Sequence, residues 1–311
     1  MKNKRVVIAL GGNALGENAN EQKIALAKAA VSIVDLVEKG MEIVITHGNG
    51  PQVGMIQTAM DELITLIPSY GRVSLPYSVA MSQGYIGIDL ENAIKNELAK
   101  RKLNKMVTTI LTQVEVDKND PAFKNPSKPI GRFMNEEEAN ELRKQGLDVV
   151  EDSGRGFRTV VASPKPQRIL ELNSINSLLD AGHVVIACGG GGIPVIKNDD
   201  TYEEVSAVID KDNTSALLGK GLDADYLIIL TAVEKVAINF GKENEQWLDE
   251  LTVDQANEYI KTGEFGKGSM EPKVEASISF VSDGDGKEAL ITLLEKVSVA
   301  LDGKTGTKII G

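Results

Sequence analysis

Three apolar runs in this chain end in glycines, and that repeated ending limits what it can fold into. "RVVIALGGNALGEN" spans 5–18, "VITHGNGPQVG" spans 44–54 and "VVIACGGGGIPV" spans 184–195. In each, a β-branched segment without polar alternation runs straight into backbone that lacks side chains. A strand apolar on both faces must be covered on both, as in a parallel sheet between helical layers. Apolar runs at 6–10, 42–46, 106–111, 184–187 and 226–230 alternate with amphipathic stretches at 21–39, 82–101, 136–145, 169–180, 215–221 and 253–262. The alternation predicts an α/β fold. Ligands of such sheets sit beyond the carboxyl ends of the strands, where these glycines fall.

The segment 117–166 breaks the pattern. It holds Pro121, Pro126, Pro129, Pro164 and Pro166, charged turns, and a short strand-like run at 158–162. It reads as an insertion projecting from the sheet.

Composition removes several function classes. Thirty-four Lys and Arg against 45 Asp and Glu give a net charge of −11 over 311 residues. That balance argues against binding nucleic acid or an anionic membrane surface. It does not exclude a small anionic substrate, for which a few converging cations suffice. One cysteine, Cys188, permits no internal disulfide, and with two histidines argues against a zinc site. The apolar run at 6–10 is shorter than a signal core of roughly 7–15 residues, and no run is long enough for a membrane span. The expected compartment is the cytoplasm.

Glycine loops let backbone N–H groups approach an anion, and a following helix N-terminus adds favourable partial charge. "GGNAL" and "HGNGPQVG" suit a phosphoryl group or an acyl phosphate, although a tight turn explains either loop alone equally well. The common nucleotide loops are absent. "GGNALG" and "CGGGGIPV" miss the dinucleotide spacing, and "GKT" at 303–305 has Ser298 where a phosphate loop needs glycine. "SDGDGKEAL" carries Lys287 at a position where a calcium loop needs an acid or amide.

Lys211 lies between Asp210 and Asp212 before a helix, Lys273 follows a proline at another helix start, and Lys128 sits between prolines in the insertion. A loop lysine is ordinarily a solvated surface charge. In stiff Gly- and Pro-framed loops, however, ammonium groups can neutralise charge on a transferred phosphoryl group. Asp210 and Asp212 suit helix N-capping, or an aspartate between two lysines can orient both. His47 reads as a strand-end ring bonded to backbone before it reads as a general base, and Cys188 reads as core.

"VVIALGGNAL", "HGNGPQVG", "MSQGYIGIDL", "FKNPSKPIG", "GRGFRTVVASPKPQ", "CGGGGIPV", "VIDKD", "INFGK" and "GSMEPKVEA" follow one another along the chain. Together they resemble the carbamate kinases of the amino-acid-kinase fold family. The resemblance implies a three-layer αβα sandwich with an open, mainly parallel eight-stranded sheet and a small projecting subdomain at about 117–166. It implies reversible phosphoryl transfer from carbamoyl phosphate to ADP with Mg2+, giving carbamate and ATP, and a homodimer. Residues 1–220 would bind carbamoyl phosphate and residues 221–311 the nucleotide.

By the same resemblance, Gly11, Gly12 and Asn13 match the phosphate-binding loop, and Gly48, Asn49 and Gly50 the loop beside the carbamoyl group. Lys211 and Lys273 match lysines on the transferred phosphoryl group, Asp212 the aspartate that organises them, and Lys128 a lysine that closes over carbamoyl phosphate. The nucleotide would lie near Asp210, Thr231, Ala232, Val233, the stretch 240–242, Gly268, Ser269 and Met270. Many amino-acid kinases, such as acetylglutamate kinase, carry a lysine just before the first glycines. Here that position is Ala9, and Lys128 would supply the charge. Lys267 and Glu271 replace an expected proline and neutral residue, and the cysteine often found before "MSQG" is absent. Catabolism of arginine or a related ureido compound is the implied setting. Another acyl-phosphate-forming kinase and a non-catalytic metabolite sensor are alternatives on this fold.

Overall fold

The computed structural model describes residues 3–12, 15–16, 18–144, 146–152 and 154–311. Its central sheet has eight strands in the order Glu250–Thr252, Thr307–Ile310, Glu288–Leu293, Tyr226–Thr231, Arg5–Leu10, Glu42–His47, Val184–Ile186 and Val107–Thr109. Neighbours run parallel except Glu288–Leu293 against Thr307–Ile310, which are antiparallel. The first strand occupies the middle. It pairs Ile8 with Ile45 on one side and with Ile228 on the other.

Alternation along that strand divides the core. Val6, Ile8 and Leu10 enter one apolar cluster with the helices Ala19–Glu38 and Leu75–Lys100. Val7 and Ala9 enter the other with the helices Leu172–Asp180, Lys211–Gly221 and Glu271–Val281. Both faces are covered, as the unbroken apolar strands require.

Besides the two-stranded pairing of Val236–Ile238 with Gln246–Leu248, two smaller sheets extend this body. One orders Thr201–Glu204, Ile193–Asn198, Gln113–Val116 and Pro166–Ile169. The other is antiparallel, ordering Lys128–Met134, Phe157–Val161 and Val149–Glu151. The helix Glu136–Lys144 closes it over a small core of Met134, Ala139 and Val149. Among the described residues, no helix is long and apolar enough to cross a membrane.

Several elements differ from the sequence expectations. The helix expected at 82–101 begins at Leu75, because Pro76 is accommodated in its first turn. The helix expected at 169–180 begins at Leu172, and Ile169 instead ends a strand. Gly50–Leu66 is a helix that periodicity did not predict. Its buried residues are Gln52, Val53 and Gly54, too few for an apolar stripe.

The first strand is anchored at the end opposite its glycines. Arg5 is 4% exposed and donates to Glu42 through Nε (3.0 Å) and Nη2 (2.9 Å). It also donates to Asp180 (2.8 Å), Asn176 (2.7 Å) and the Leu222 carbonyl (2.9 Å), joining residues more than 170 positions apart. Removing one member of a buried ion pair costs about 3–5 kcal/mol. The Asp180 side chain is 59% exposed and can rehydrate. Arg5→Ala should therefore lose about 3 kcal/mol in urea denaturation, at the lower end of that range. An unchanged midpoint would mean that the network adds nothing to stability.

Candidate active site

The glycine loops converge at the carboxyl end of the sheet around a cleft of about 190 Å³. Gly11 and Gly12 leave the first strand there, and Gly48, Asn49 and Gly50 leave the second. Gly11 has to be glycine, since a β-carbon on it would lie 2.6 Å from the Leu230 carbonyl oxygen of the next strand. In the third loop, Gly190 has φ +66°, and a β-carbon would lie 2.2 Å from Asn49 Nδ2. The third loop is therefore pressed onto the second. Asn13 lies outside the described residues.

Two of the helices that begin at this cleft each bring a lysine in the first turn. Lys211 opens the helix Lys211–Gly221, and Lys273 lies in the first turn of Glu271–Val281. Between them stands Asp212, buried, with one carboxylate oxygen on Lys211 and the other 2.9 Å from Lys273 Nζ. Thr214 donates to the Gly191 carbonyl (2.9 Å), and Ser215 shares a 2.6 Å hydrogen bond with Thr46. The lysine-bearing helix is thus fastened to the third glycine loop and the second strand.

Burial alone would raise the Asp212 carboxyl, but the two ammonium groups outweigh it and hold the group well below the usual carboxylate range. Burial pulls Lys211 down from the ordinary lysine value, against the attraction of Asp212 and with the repulsion of Lys273. Such a lysine gains from an anion placed beside it.

Asp210 has two tasks. Its Oδ1 caps the helix, accepting from the Asp212 N–H at 2.9 Å, and its Oδ2 accepts from Lys128 Nζ at 2.6 Å. The insertion's lysine therefore reaches the cleft across 82 positions of sequence. Three lysines against two aspartates leave one formal positive charge among these five groups, in a cleft lined by glycine loops and helix starts. The arrangement suits an anion.

His47 is 1% exposed, and burial takes its pKa down to about 4. Its Nδ1 lies 2.8 Å from the Gly48 carbonyl, so the neutral ring donates there and shapes the loop. Cys188 is fully buried, and burial pushes its thiol above the ordinary range, as expected for core.

Sequence reasoning missed two positioning groups within "MSQG". Ser82 accepts from Asn49 Nδ2 at 2.9 Å. Gln83 is buried and binds the Gly189 carbonyl (2.9 Å) and the Thr112 N–H (2.9 Å), joining the third loop to the helix Leu75–Lys100. A polar pair facing inward on that helix was the available signal.

The expected nucleotide residues are less tightly gathered. Gly268 and Ser269 line the cleft beside Lys273, while Met270 packs partly against the core. Thr231 ends the strand next to the first one, and Ala232 and Val233 follow it outward. Beyond them, exposed Phe240 meets Trp247 edge to face, with ring centroids 6.0 Å apart.

The model of the amino acid kinase family matches residues 4–292. The chain is 56% identical to the carbamate kinase-like protein YqeA of Escherichia coli, over 98% of this chain and 99% of that protein. It is 49% identical to a carbamate kinase of Clostridium perfringens, with the same coverage of 98% and 99%. The solved structure of carbamate kinase from Giardia lamblia bound to AMP-PNP superposes with a TM-score of 0.90 at 41% identity, covering 99% of this chain and 98% of that one. At this identity and coverage, the chain belongs to the amino acid kinase family, among its carbamate kinases.

Proposed function

We propose that Lys128, Lys211 and Lys273, ordered by Asp210 and Asp212, catalyse phosphoryl transfer between carbamoyl phosphate and ADP in this carbamate kinase. The observation that carries the reading is the Lys211–Asp212–Lys273 bridge between two helix starts at the cleft. In the forward direction a terminal oxygen of ADP attacks the phosphorus of carbamoyl phosphate. The bond to the carbamate oxygen breaks with its electron pair, and carbamate leaves as ATP forms. The attacking oxygen is already anionic, so no base is required. The neutral His47 ring fits that economy.

Charge in such a transfer spreads over the equatorial phosphoryl oxygens and the leaving oxygen, so positioned cations do most of the catalytic work. Lys211 and Lys273 serve the phosphoryl group, and Gly11, Gly12 and Asn13 give it backbone contacts. Gly48, Asn49 and Gly50 hold the carbamoyl end under Lys128, which stands in for the lysine absent at Ala9.

The fold divides between the two substrates accordingly. Residues 1–220 carry carbamoyl phosphate, with 117–166 as the projecting subdomain, and residues 221–311 carry the nucleotide. Strand order supports this division, since the strands from 226 to 310 occupy one side of Arg5–Leu10 and the others lie opposite. Thr231, Ala232, Val233, Gly268, Ser269 and Met270 border the nucleotide. The Giardia relative holding AMP-PNP supports a nucleotide site. ATP made from carbamoyl phosphate in cytoplasmic breakdown of arginine or a related ureido compound is the proposed setting, to be checked by isotope tracing in cells.

The three lysine variants test the assignment in one kinetic set. Lys211→Ala and Lys273→Ala should each lower kcat on the order of 10²–10³-fold, with smaller effects on ADP affinity. Lys128→Ala should weaken carbamoyl phosphate use by at least about tenfold, roughly 1.4 kcal/mol, and leave ADP binding nearly intact. A change confined to KM in either of the first two would remove that lysine from the chemistry.

Magnesium enters as part of the nucleotide substrate. The cleft's carboxylates already serve ammonium groups and a helix cap, and among the described residues no three His, Cys, Asp or Glu are grouped to hold a metal. A phosphate-borne ion that keeps several waters fits this donor set. Calorimetry should give Mg2+ binding only with nucleotide present, and tight binding without nucleotide would overturn the assignment.

A homodimer completes the proposal. Tyr77, Met81 and Ile88 recur on one exposed face of Leu75–Lys100, and Ile24 and Val31 are exposed on Ala19–Glu38, which packs beside it. Such a set of exposed apolar side chains on two packed helices fits a second copy. Sedimentation should give a dimer for the natural chain and a monomer for Ile88→Glu. A monomeric natural chain would end the proposal.

A further inference from the structure

Gly54 lies in the second turn of the helix Gly50–Leu66, where glycine is less stable than alanine. Its surroundings explain why no side chain stands there. A β-carbon on Gly54 would lie 2.2 Å from Cα of Gly131 and 2.5 Å from its nitrogen, whereas ordinary contact begins at 3.4 Å. Both neighbours are backbone atoms, so they cannot rotate aside. Gly131 itself faces open space but has φ +72°, a left-handed conformation. One glycine supplies room, and the other supplies a bend.

Gly131 belongs to the strand Lys128–Met134 that begins with the insertion's lysine. The segment joining the two is held firmly. Pro129 restricts its own backbone, and Ile130 is buried in a cluster with Val53, Leu75, Val79, Ile193 and Val208. Lys128, Pro129 and Ile130 pair in register with Val161, Val160 and Thr159. From the far side, Arg158 Nε donates to the Gly131 carbonyl at 3.1 Å, and the same guanidinium pairs with Asp152 at 3.2 Å. A shift at Gly131 is therefore carried along a braced strand to the 2.6 Å contact between Lys128 and Asp210.

We infer that Gly54 is a positioning residue for Lys128. By presenting bare backbone, it lets the projecting strand seat at the depth where the lysine meets Asp210 and the carbamoyl phosphate anion. The inference rests on the catalytic role proposed for Lys128. A methyl group at Gly54 forces a retreat of about 1 Å to restore carbon–carbon contact. A displacement of that size can cost on the order of 10²-fold in rate. Because the effect passes through Lys128, it cannot exceed what removal of Lys128 costs.

The test is a cycle of Gly54→Ala, Lys128→Ala and the double variant, each assayed with carbamoyl phosphate and ADP, with ADP affinity measured separately. Gly54→Ala should lower kcat/KM for carbamoyl phosphate about tenfold, with ADP affinity unchanged within about twofold. The double variant should fall no lower than Lys128→Ala alone. Normal turnover in Gly54→Ala, or losses that multiply in the double variant, would overturn the inference. So would loss of ADP binding in Gly54→Ala, which would mark a general structural role. Normal turnover in Lys128→Ala would instead remove the premise, the role given to that lysine. A slow Lys128→Ala beside a normal Gly54→Ala removes only the seat.

Discussion

Two ammonium groups held near one carboxylate organise this molecule's working end. Without Asp212, Lys211 and Lys273 would repel across the cleft, and the deeper one would tend to lose its proton. With it, both are fixed by ion pairs to one carboxylate. The carboxylate is anchored in turn, because its own N–H is the one capped by Asp210. Preorganised charge of this kind needs no rearrangement when the transferred group spreads its negative charge. The helix starts, the glycine loops and the braced insertion all converge around that pair.

Asp210 adds a polar link between the insertion and the main body. One oxygen caps a helix of the main body and the other accepts the insertion's lysine. The latch is therefore built into the same short segment as the Lys211–Asp212 pair. When the insertion is seated, its charge is delivered beside that pair and nowhere else.

Much of this was legible in the sequence, for physical reasons that differ by residue. The apolar strands at 6–10 and 184–187 were readable because burial on both faces leaves no polar alternation. The roles proposed for Gly11, Lys211, Asp212 and Lys273 came only through resemblance, since a glycine loop alone equally well makes a turn. Ser82 and Gln83 were missed because a buried polar side chain on a helix shows nothing of the loop it will hold. The helix Gly50–Leu66 was missed because it buries so little of itself. Gly54 looked like one more glycine of a loop motif. Only coordinates reveal that the backbone it admits comes from residue 131.

The place of the first strand in the sheet has a consequence for how the protein is made. Arg5–Leu10 is made before both of its neighbours, and one of them, Tyr226–Thr231, lies more than 200 residues downstream. At about 5–20 residues per second, roughly 10–40 s separate the two on the ribosome. During that interval the strand can pair with Glu42–His47 but presents an unpaired apolar edge on its other side. Arg5 can meet Glu42 in that interval but waits for Asn176, Asp180 and the Leu222 carbonyl to complete its hydrogen bonds. That edge is covered only once Tyr226–Thr231 has emerged to pair with it.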